Sequence, residues 1–318
     1  MKMRKKVVVF GGGTGISYLL RGLKDFPVDI TAIITVADNG RSTGRLRNEF
    51  NVPAVGDIRQ VITNLSSERK EIKDLMSYRF STYSDFNGHS LGNLILIAMM
   101  NITGSLKDSI TCLSDLLDVE HKVYPISEDC LTLMAETENG EIIEGEEEIT
   151  HNRDVKKRIF YKEEPTITPE ALEAVNEADL IIFSMGSLYT SILPTIIGKD
   201  MRKAIKKSKS KLMYICNAMT QPGETDNFGV SDHVKVLNKY LDKRTVDVVI
   251  ATNTEISQEM IDKYRREEEK SKVIIDYEKL SELDIELIES DLLVLDEGTL
   301  KHDSLMLSTI VFSYLMKV

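Results

Sequence analysis

The sequence predicts an α/β protein: a Rossmann-like, mainly parallel sheet with helices on both faces and a small antiparallel β insertion. Three observations predict it. Residues 7–15, Val-Val-Val-Phe-Gly-Gly-Gly-Thr-Gly, stop an apolar, β-branched run at a glycine cluster. Ile16, Leu19, Leu20 and Leu23 then recur at helical spacing, so the segment reads strand, tight turn, helix. Strand and helix patterns alternate along most of the 318 residues, as parallel strands joined by helical crossovers require. The rhythm breaks between 121 and 162, where two strand-like runs flank Asn139-Gly140, a favoured hairpin turn.

The elements follow in order. Val28–Val36 reads as a second strand, ending at Ala37-Asp38-Asn39-Gly40. Ile58, Val61, Ile62 and Leu65 share one helical face within 57–66, and Asp57 suits the N-cap of that helix. Leu91–Met100 is apolar nearly all round, which predicts a helix buried in the core. Leu106, Ile110, Leu113 and Leu117 mark another helix. Leu131–Thr137 and Glu141–Ile149 form the expected insertion hairpin, crowded with Glu144, Glu146, Glu147 and Glu148. Thr168 is expected to cap a helix that has Pro169 at its first position. The remaining strands are Leu180–Phe183, Leu212–Cys216, Val246–Ala251, Val273–Ile275 and Leu292–Leu295. Residues 1–120 and 163–318 then form a nucleotide-binding core, and 121–162 the insertion.

Composition narrows the function. A formal net charge of −11 argues against nucleic acid as a partner, since a long phosphate backbone is met by a basic face. Cys112, Cys130 and Cys216 are scattered and predict reduced, mostly buried thiols. No apolar run reaches the ~20 residues that span a bilayer. The basic Met1–Lys6 lacks the apolar stretch and cleavage site of a signal peptide. The expectation is a cytoplasmic protein with no membrane partner.

Six segments carry the chemistry. The turn Gly11, Gly12, Gly13, Thr14, Gly15 brings backbone amides close to a phosphate. It is neither a dinucleotide fingerprint, because Ile16 or Tyr18 stands where the third glycine belongs, nor a P-loop, which ends in Gly-Lys-Ser/Thr. Asp38 and Asn39 lead into Arg41-Ser42-Thr43-Gly44-Arg45-Leu46-Arg47, a cationic stretch whose guanidiniums suit phosphate oxygens. Gly56-Asp57-Ile58-Arg59 offers a carboxylate and a cation two residues apart. Asn87-Gly88-His89-Ser90-Leu91-Gly92-Asn93 precedes the apolar helix, and His89 could donate to phosphate or move a proton. Ser184-Met185-Gly186-Ser187-Leu188-Tyr189-Thr190-Ser191 and Asn217-Ala218-Met219-Thr220-Gln221 follow parallel strands, where open α/β sheets place ligands. The five histidines show no metal-ligand spacing, so no fixed metal is expected. Asp38 and Asp57 could share a magnesium ion brought in by a diphosphate.

Together these motifs, in this order from Val7 to Asp303, resemble the gluconeogenesis factor family. These are the YvcK-like proteins, relatives of the CofD-like phospholactate transferase of deazaflavin coenzyme synthesis. The resemblance implies a bacterial cytoplasmic protein that binds uridine-diphosphate sugars and supports cell shape and growth on gluconeogenic carbon sources. It further implies a homodimer and a protein partner in cell-wall synthesis. The nucleotide positions carried over are Gly12, Gly13, Thr14, Asp38, Asn39, Asp57, Arg59, His89, Asn93, Ser187 to Ser191 and Asn217 to Gln221. Gly11, Gly15, Thr43 and Arg45 join them on their own chemistry. The alternative is a transferase using a nucleotide-diphosphate-activated donor, with Asp57 or His89 assisting deprotonation of the acceptor. Three departures from the family pattern stand out: Arg41 in place of a glycine, Ser184-Met185 in place of Gly-Pro, and Lys301 in place of an arginine.

Overall fold

The computed structural model describes residues 4–296 and 298–318, with the side chain of Arg41 outside that description. Whether Arg41 touches or obstructs the pocket therefore lies outside the described residues.

The chain begins with β1 (Lys5–Gly11), β2 (Val28–Ile34) and β3 (Lys122–Pro125). An excursion follows through β4 (Leu133–Thr137), β5 (Ile142–Glu144) and β6 (Lys156–Tyr161). The chain returns as β7 (Leu180–Phe183), β8 (Lys211–Ile215), β9 (Val248–Thr252) and β10 (Glu286–Ser290), and ends with a hairpin, β11 (Leu293–Asp296) and β12 (Thr299–His302). Seven strands form one parallel sheet in the order β10-β9-β8-β7-β1-β2-β3. The chain winds outward from β1 in one direction, then resumes at β7 and winds in the other. The strand order therefore reverses between β1 and β7, leaving a crevice at their carboxyl ends.

Helices cover this sheet: α1 (Gly13–Leu23), α2 (Arg41–Phe50), α3 (Gly56–Leu65), α4 (Lys70–Ser77), α5 (Leu91–Thr103), α6 (Leu106–Leu116), α7 (Glu146–His151), α8 (Pro169–Glu177), α9 (Lys199–Lys207), α10 (Val230–Tyr240), α11 (Gln258–Glu268), α12 (Tyr277–Ser281) and α13 (Ser304–Leu315). α1 packs between α3 and α13, while α8 packs on α9. The central strands are buried on both faces, which is why they read as unbroken apolar runs. Phe10 and Phe183 are directly paired across β1 and β7, and their rings stack with centroids 5.7 Å apart.

Several expectations need correction. Leu292–Leu295 is no parallel strand; β11 pairs antiparallel with β12 instead. The seventh parallel strand is β10, whose Glu-Leu-Ile-Glu-Ser lacks an apolar run because it lies at the sheet edge, half in solvent. Val273–Ile275 makes an isolated bridge through Ile274 to Gly229, and Lys272 just before it makes another to Met219. Residues 122–125, placed with the insertion by sequence, form the other edge strand, β3. Within the excursion the second strand stops at Glu144; Gly145, at φ 98°, turns the chain into α7. α5 is buried only at Gly92, Asn93, Leu96 and Ile97, because one side faces away from α4 and α6, and Ile102 is 83% exposed. Cys112 and Cys130 are exposed and only Cys216 is buried. α8 does begin at Pro169, yet the Thr168 hydroxyl donates to the Pro125 carbonyl rather than capping it. Among the described residues no helix is long and apolar enough to cross a membrane.

Candidate functional site

The glycine turn sits at the reversal point, and its glycines serve two different needs. Gly11 and Gly15 let two loops cross. A Cβ on Gly11 would lie 2.3 Å from the Ser184 hydroxyl, and one on Gly15 would lie 1.8 Å from the Met185 carbonyl oxygen. Gly12 and Gly13 instead face Asp57: a Cβ on Gly12 would fall 2.5 Å from Asp57 Oδ2. Gly13 also has φ +58°, the left-handed region that glycine enters without strain.

Asp57 is not the cap the sequence suggests. α3 starts at Gly56 after Val55, so Asp57 lies inside its first turn and its carboxylate accepts the Gly13 backbone N–H. Burial pushes Asp57 up to about 7, aided by the charges of Asp38 and Glu146 and opposed by the Gly13 amide and Arg59. A carboxyl group titrating near neutrality in a crevice is equipped for proton transfer.

Two cavities open among the loops at this end of the sheet, and the glycine turn lines the second of them through Thr14 and Gly15. The first is a cleft of about 560 Å³ lined by Asp38, Thr43, Arg45 and Gly40 from the second loop, Arg79, Asn87 and Gly88, and Glu146, Glu147, Thr150 and His151 of α7. α7 belongs to the excursion, and Asn39 holds it there: the Glu147 N–H donates to Asn39 Oδ1 at 2.8 Å. Burial and the nearby Asp38 raise Glu146 to about 7, while the Thr150 and Thr190 hydroxyls oppose the rise. Arg45 bonds only backbone carbonyls, those of Asp85 and Asn87, and Arg79 bonds that of Gly88. Among the described residues neither guanidinium has a carboxylate partner. Arg47, the third arginine of the stretch, is spent on the carbonyls of Ala37, Asp38 and Leu131.

The second cavity, about 340 Å³, lies under the β11–β12 hairpin. Thr14, Gly15, Tyr18, Gly186, Ser187, Asn217, Thr220, Gln221, Tyr264, Lys301 and His302 contribute to its wall. Much of that wall is internally bonded. Asn217 clamps Gly186 from both sides, accepting its N–H at 2.9 Å and donating to its carbonyl at 2.6 Å. Ser187 donates to buried Glu224 at 2.6 Å while accepting from the Thr190 amide and hydroxyl. Thr220 exchanges bonds with Ser271. Lys301 pairs with Asp296 at 2.8 Å and sits 5.6 Å from the Tyr18 ring centre.

The remaining expected site residues support these walls from behind. Arg59 is buried, bonded to Asn93 through Nε, and lies against Gly92. Burial and Arg79 lower it to about 10, with Asp57 opposing. His89 is buried with Nδ1 2.8 Å from the Ser42 hydroxyl, and burial lowers its pKa. Leu188 and Tyr189 are core residues, and Thr190 and Ser191 follow them in a single π-type turn. Sequence reasoning missed Glu146 and Lys156. Lys156 is buried and donates to Asn152, Asp154 and Gly223, tying the excursion to the loop after β8. No local pattern announces either residue's place at the site, because the groups that put them there, Asp38 beside Glu146 and the Gly223 carbonyl on Lys156, lie far along the chain. Among the described residues no three His, Cys, Asp or Glu side chains gather to hold a metal ion. Asp38 and Asp57 remain a pair whose mutual repulsion a diphosphate-borne cation would relieve.

The comparisons with known proteins agree with this architecture. The family model described as 2-phospho-L-lactate transferase CofD matches residues 7–293. The chain is 43% identical over 305 residues to a gluconeogenesis factor of Bacillus subtilis, covering 96% of each chain. A gluconeogenesis factor of Halalkalibacterium halodurans is also 43% identical, over 95% of this chain and 94% of the relative. A crystal structure of a Bacillus halodurans protein superposes with a TM-score of 0.94 at 41% identity, covering 97% of this chain and 99% of that one. The chain belongs to the CofD family, among the gluconeogenesis factors.

Proposed function

We propose that this gluconeogenesis factor is a cytoplasmic regulatory protein that binds a nucleotide sugar of the uridine-diphosphate class and supports cell shape and cell-wall homeostasis on gluconeogenic carbon sources. The observation that carries the reading is the pair of cavities at the carboxyl ends of the parallel strands, one lined by the glycine turn and the other by the loop after β2. A nucleotide sugar has a flat heterocycle, a diphosphate and a polyol, and the site offers a match for each. The nucleoside takes the 340 Å³ cavity, the diphosphate crosses the amides of Thr14 and Gly15, and the sugar enters the 560 Å³ cleft. There Asp38 and Glu146 accept sugar hydroxyls, while Arg45 and Arg79 offset phosphate charge. The bound state would act through an altered surface, since a ligand shifts an equilibrium only by differential binding.

Asp57 at about 7 favours a second reading, a phospholactate transferase-like enzyme in which this carboxyl group takes the proton of an acceptor hydroxyl. Calorimetric titration with UDP-N-acetylglucosamine, with GDP and NAD as controls and the ligand recovered by chromatography, separates the two. Saturable binding with intact ligand supports the sensor. Release of UDP or UMP that Asp57→Asn abolishes supports the transferase, and no binding overturns both.

A further inference from the structure

α5 is apolar nearly all round, yet one side of it faces outward. A helix of that composition is normally enclosed. Its 13 residues, Leu91–Thr103, include no charged side chain. Gly92, Asn93, Leu96 and Ile97 point into the core. Leu91, Leu94, Ile95 and Met99 are half-buried, Ala98 is exposed, and Ile102 is 83% exposed. Leu75 and Tyr78 are exposed beyond the N-terminal end, where the Leu91 N–H donates to the Tyr78 carbonyl. By contrast, α9 and α11 carry lysines, arginines and carboxylates through their length. α13, the other charge-free α-helix, breaks its outward side with exposed Thr309 and Ser313.

The outward positions of α5 have a register. Leu91, Ile95, Ala98 and Ile102 are spaced by four, three and four residues, the seam of a helix pair, and Leu94 and Met99 flank it. That spacing is the same read in either direction. A two-fold axis between Leu96 and Ile97 therefore lays the helix against an antiparallel copy of itself, because each contact of a two-fold interface occurs twice. Leu91 then meets the partner's Ile102, Leu94 the partner's Met99, and Ile95 the partner's Ala98. The small Ala98 opposite Ile95 lets the two helices close in the middle.

Charge chooses the occupant. Each chain carries −11 and repels its copy at a distance, so a face without charge is where two copies can touch without opposing like charges. A partner recognised through charge finds nothing on α5 to hold. Stable interfaces bury roughly 800 Å² on each partner. α5, about 20 Å long, supplies the apolar centre of such a patch, and Leu75 and Tyr78 widen it.

We propose that α5 is the contact face of a two-fold symmetric dimer of this chain, with the two α5 helices antiparallel and Ile95 and Ala98 beside the axis. No α5 residue lines either cavity, so the contact stands whatever binds there.

Sedimentation equilibrium of the full chain tests this. Wild type is expected at twice its 35.9 kDa mass. Salt should tighten the association, because it screens the repulsion between two acidic chains. Ile102→Glu changes an exposed residue and should leave the fold intact, which circular dichroism checks. It should weaken the dimer about 100-fold or more by burying a charge at each end of the contact. Adding Leu91→Lys to that variant should restore the dimer, since each lysine then meets the partner's glutamate. Within one helix the two positions are about 16 Å apart and cannot pair. A wild-type monomer at roughly 100 μM overturns the proposal and leaves the face to a different protein. A dimer that salt dissolves, or that Ile102→Glu leaves intact, overturns it as well. A folded double variant that stays monomeric beside a dimeric wild type overturns the antiparallel pairing.

Discussion

The two cavities beside the glycine turn are built on opposite plans. In the one under the β11–β12 hairpin, most polar groups are already bonded to one another. Asn217 grips Gly186, Ser187 grips Glu224, and Thr220 grips Ser271. In the cleft under α7, the charged side chains are left over. Among the described residues Arg45 and Arg79 have no carboxylate, and Asp38 and Glu146 in the cleft crowd with the buried Asp57 enough to lift two of the three toward neutrality. The difference teaches a division of labour. A wall of satisfied bonds is rigid and reads shape, whereas unspent charge on adaptable side chains waits for a polar ligand.

Mutations should separate the two plans. The largest effect is expected at the shared turn. Gly15→Val puts a side chain into the Met185 carbonyl, which neither loop can yield, and should cost about 4 kcal/mol or more. Chemical denaturation checks this, and a variant as stable as wild type would break the account of the crossing loops. Next, Asn217→Ala frees the Gly186 amide and carbonyl and should lose about 1–3 kcal/mol of stability. Affinity should fall with it, because the rigid wall loosens. In the cleft the pattern inverts. Arg79→Met loses a single bond to the Gly88 carbonyl, about 1 kcal/mol, while weakening nucleotide-sugar binding roughly 10-fold and flattening its salt dependence. A variant that loses stability and keeps its affinity would contradict the division.

A pH dependence sharpens the electrostatics. The native state holds the Asp57 proton up to about pH 7, whereas the unfolded chain releases it near the ordinary aspartate value of 3.8. Between those values the native state binds more protons, so this carboxyl group erodes stability as pH rises. Asp57→Asn should therefore gain on wild type between pH 4 and 7 and level off above. Melting temperatures across that range check it; a difference that does not vary with pH would remove Asp57 from the crowded trio.

How much of this was legible in the sequence follows from where each residue finds its partner. β1, the glycine turn and α1 announce themselves because strand, turn and helix are contiguous and their apolar spacing is local. The edge strand β10 is missed and the hairpin strand β11 is read as a parallel strand in its place, since Glu286–Ser290 is half exposed while Leu292–Leu295 is the more apolar run. The loops after β2, β7 and β8 were found as motifs, yet the role of each residue in them was not. Asn39 looks like a ligand contact and instead docks a helix 108 residues away. Glu146 looks like a solvated charge in an acidic run and instead closes the cleft. Chain order carries no trace of either.

Hydrogen exchange tests the central claim, that one ligand spans both cavities. Wild type would be measured free, with UDP and with UDP-N-acetylglucosamine. UDP should protect amides in 13–18, 185–191, 217–221 and 299–302, and the sugar nucleotide should extend protection to 38–45 and 145–151. Protection by the sugar nucleotide that matches UDP alone, or that is confined to one side of the turn, would contradict it.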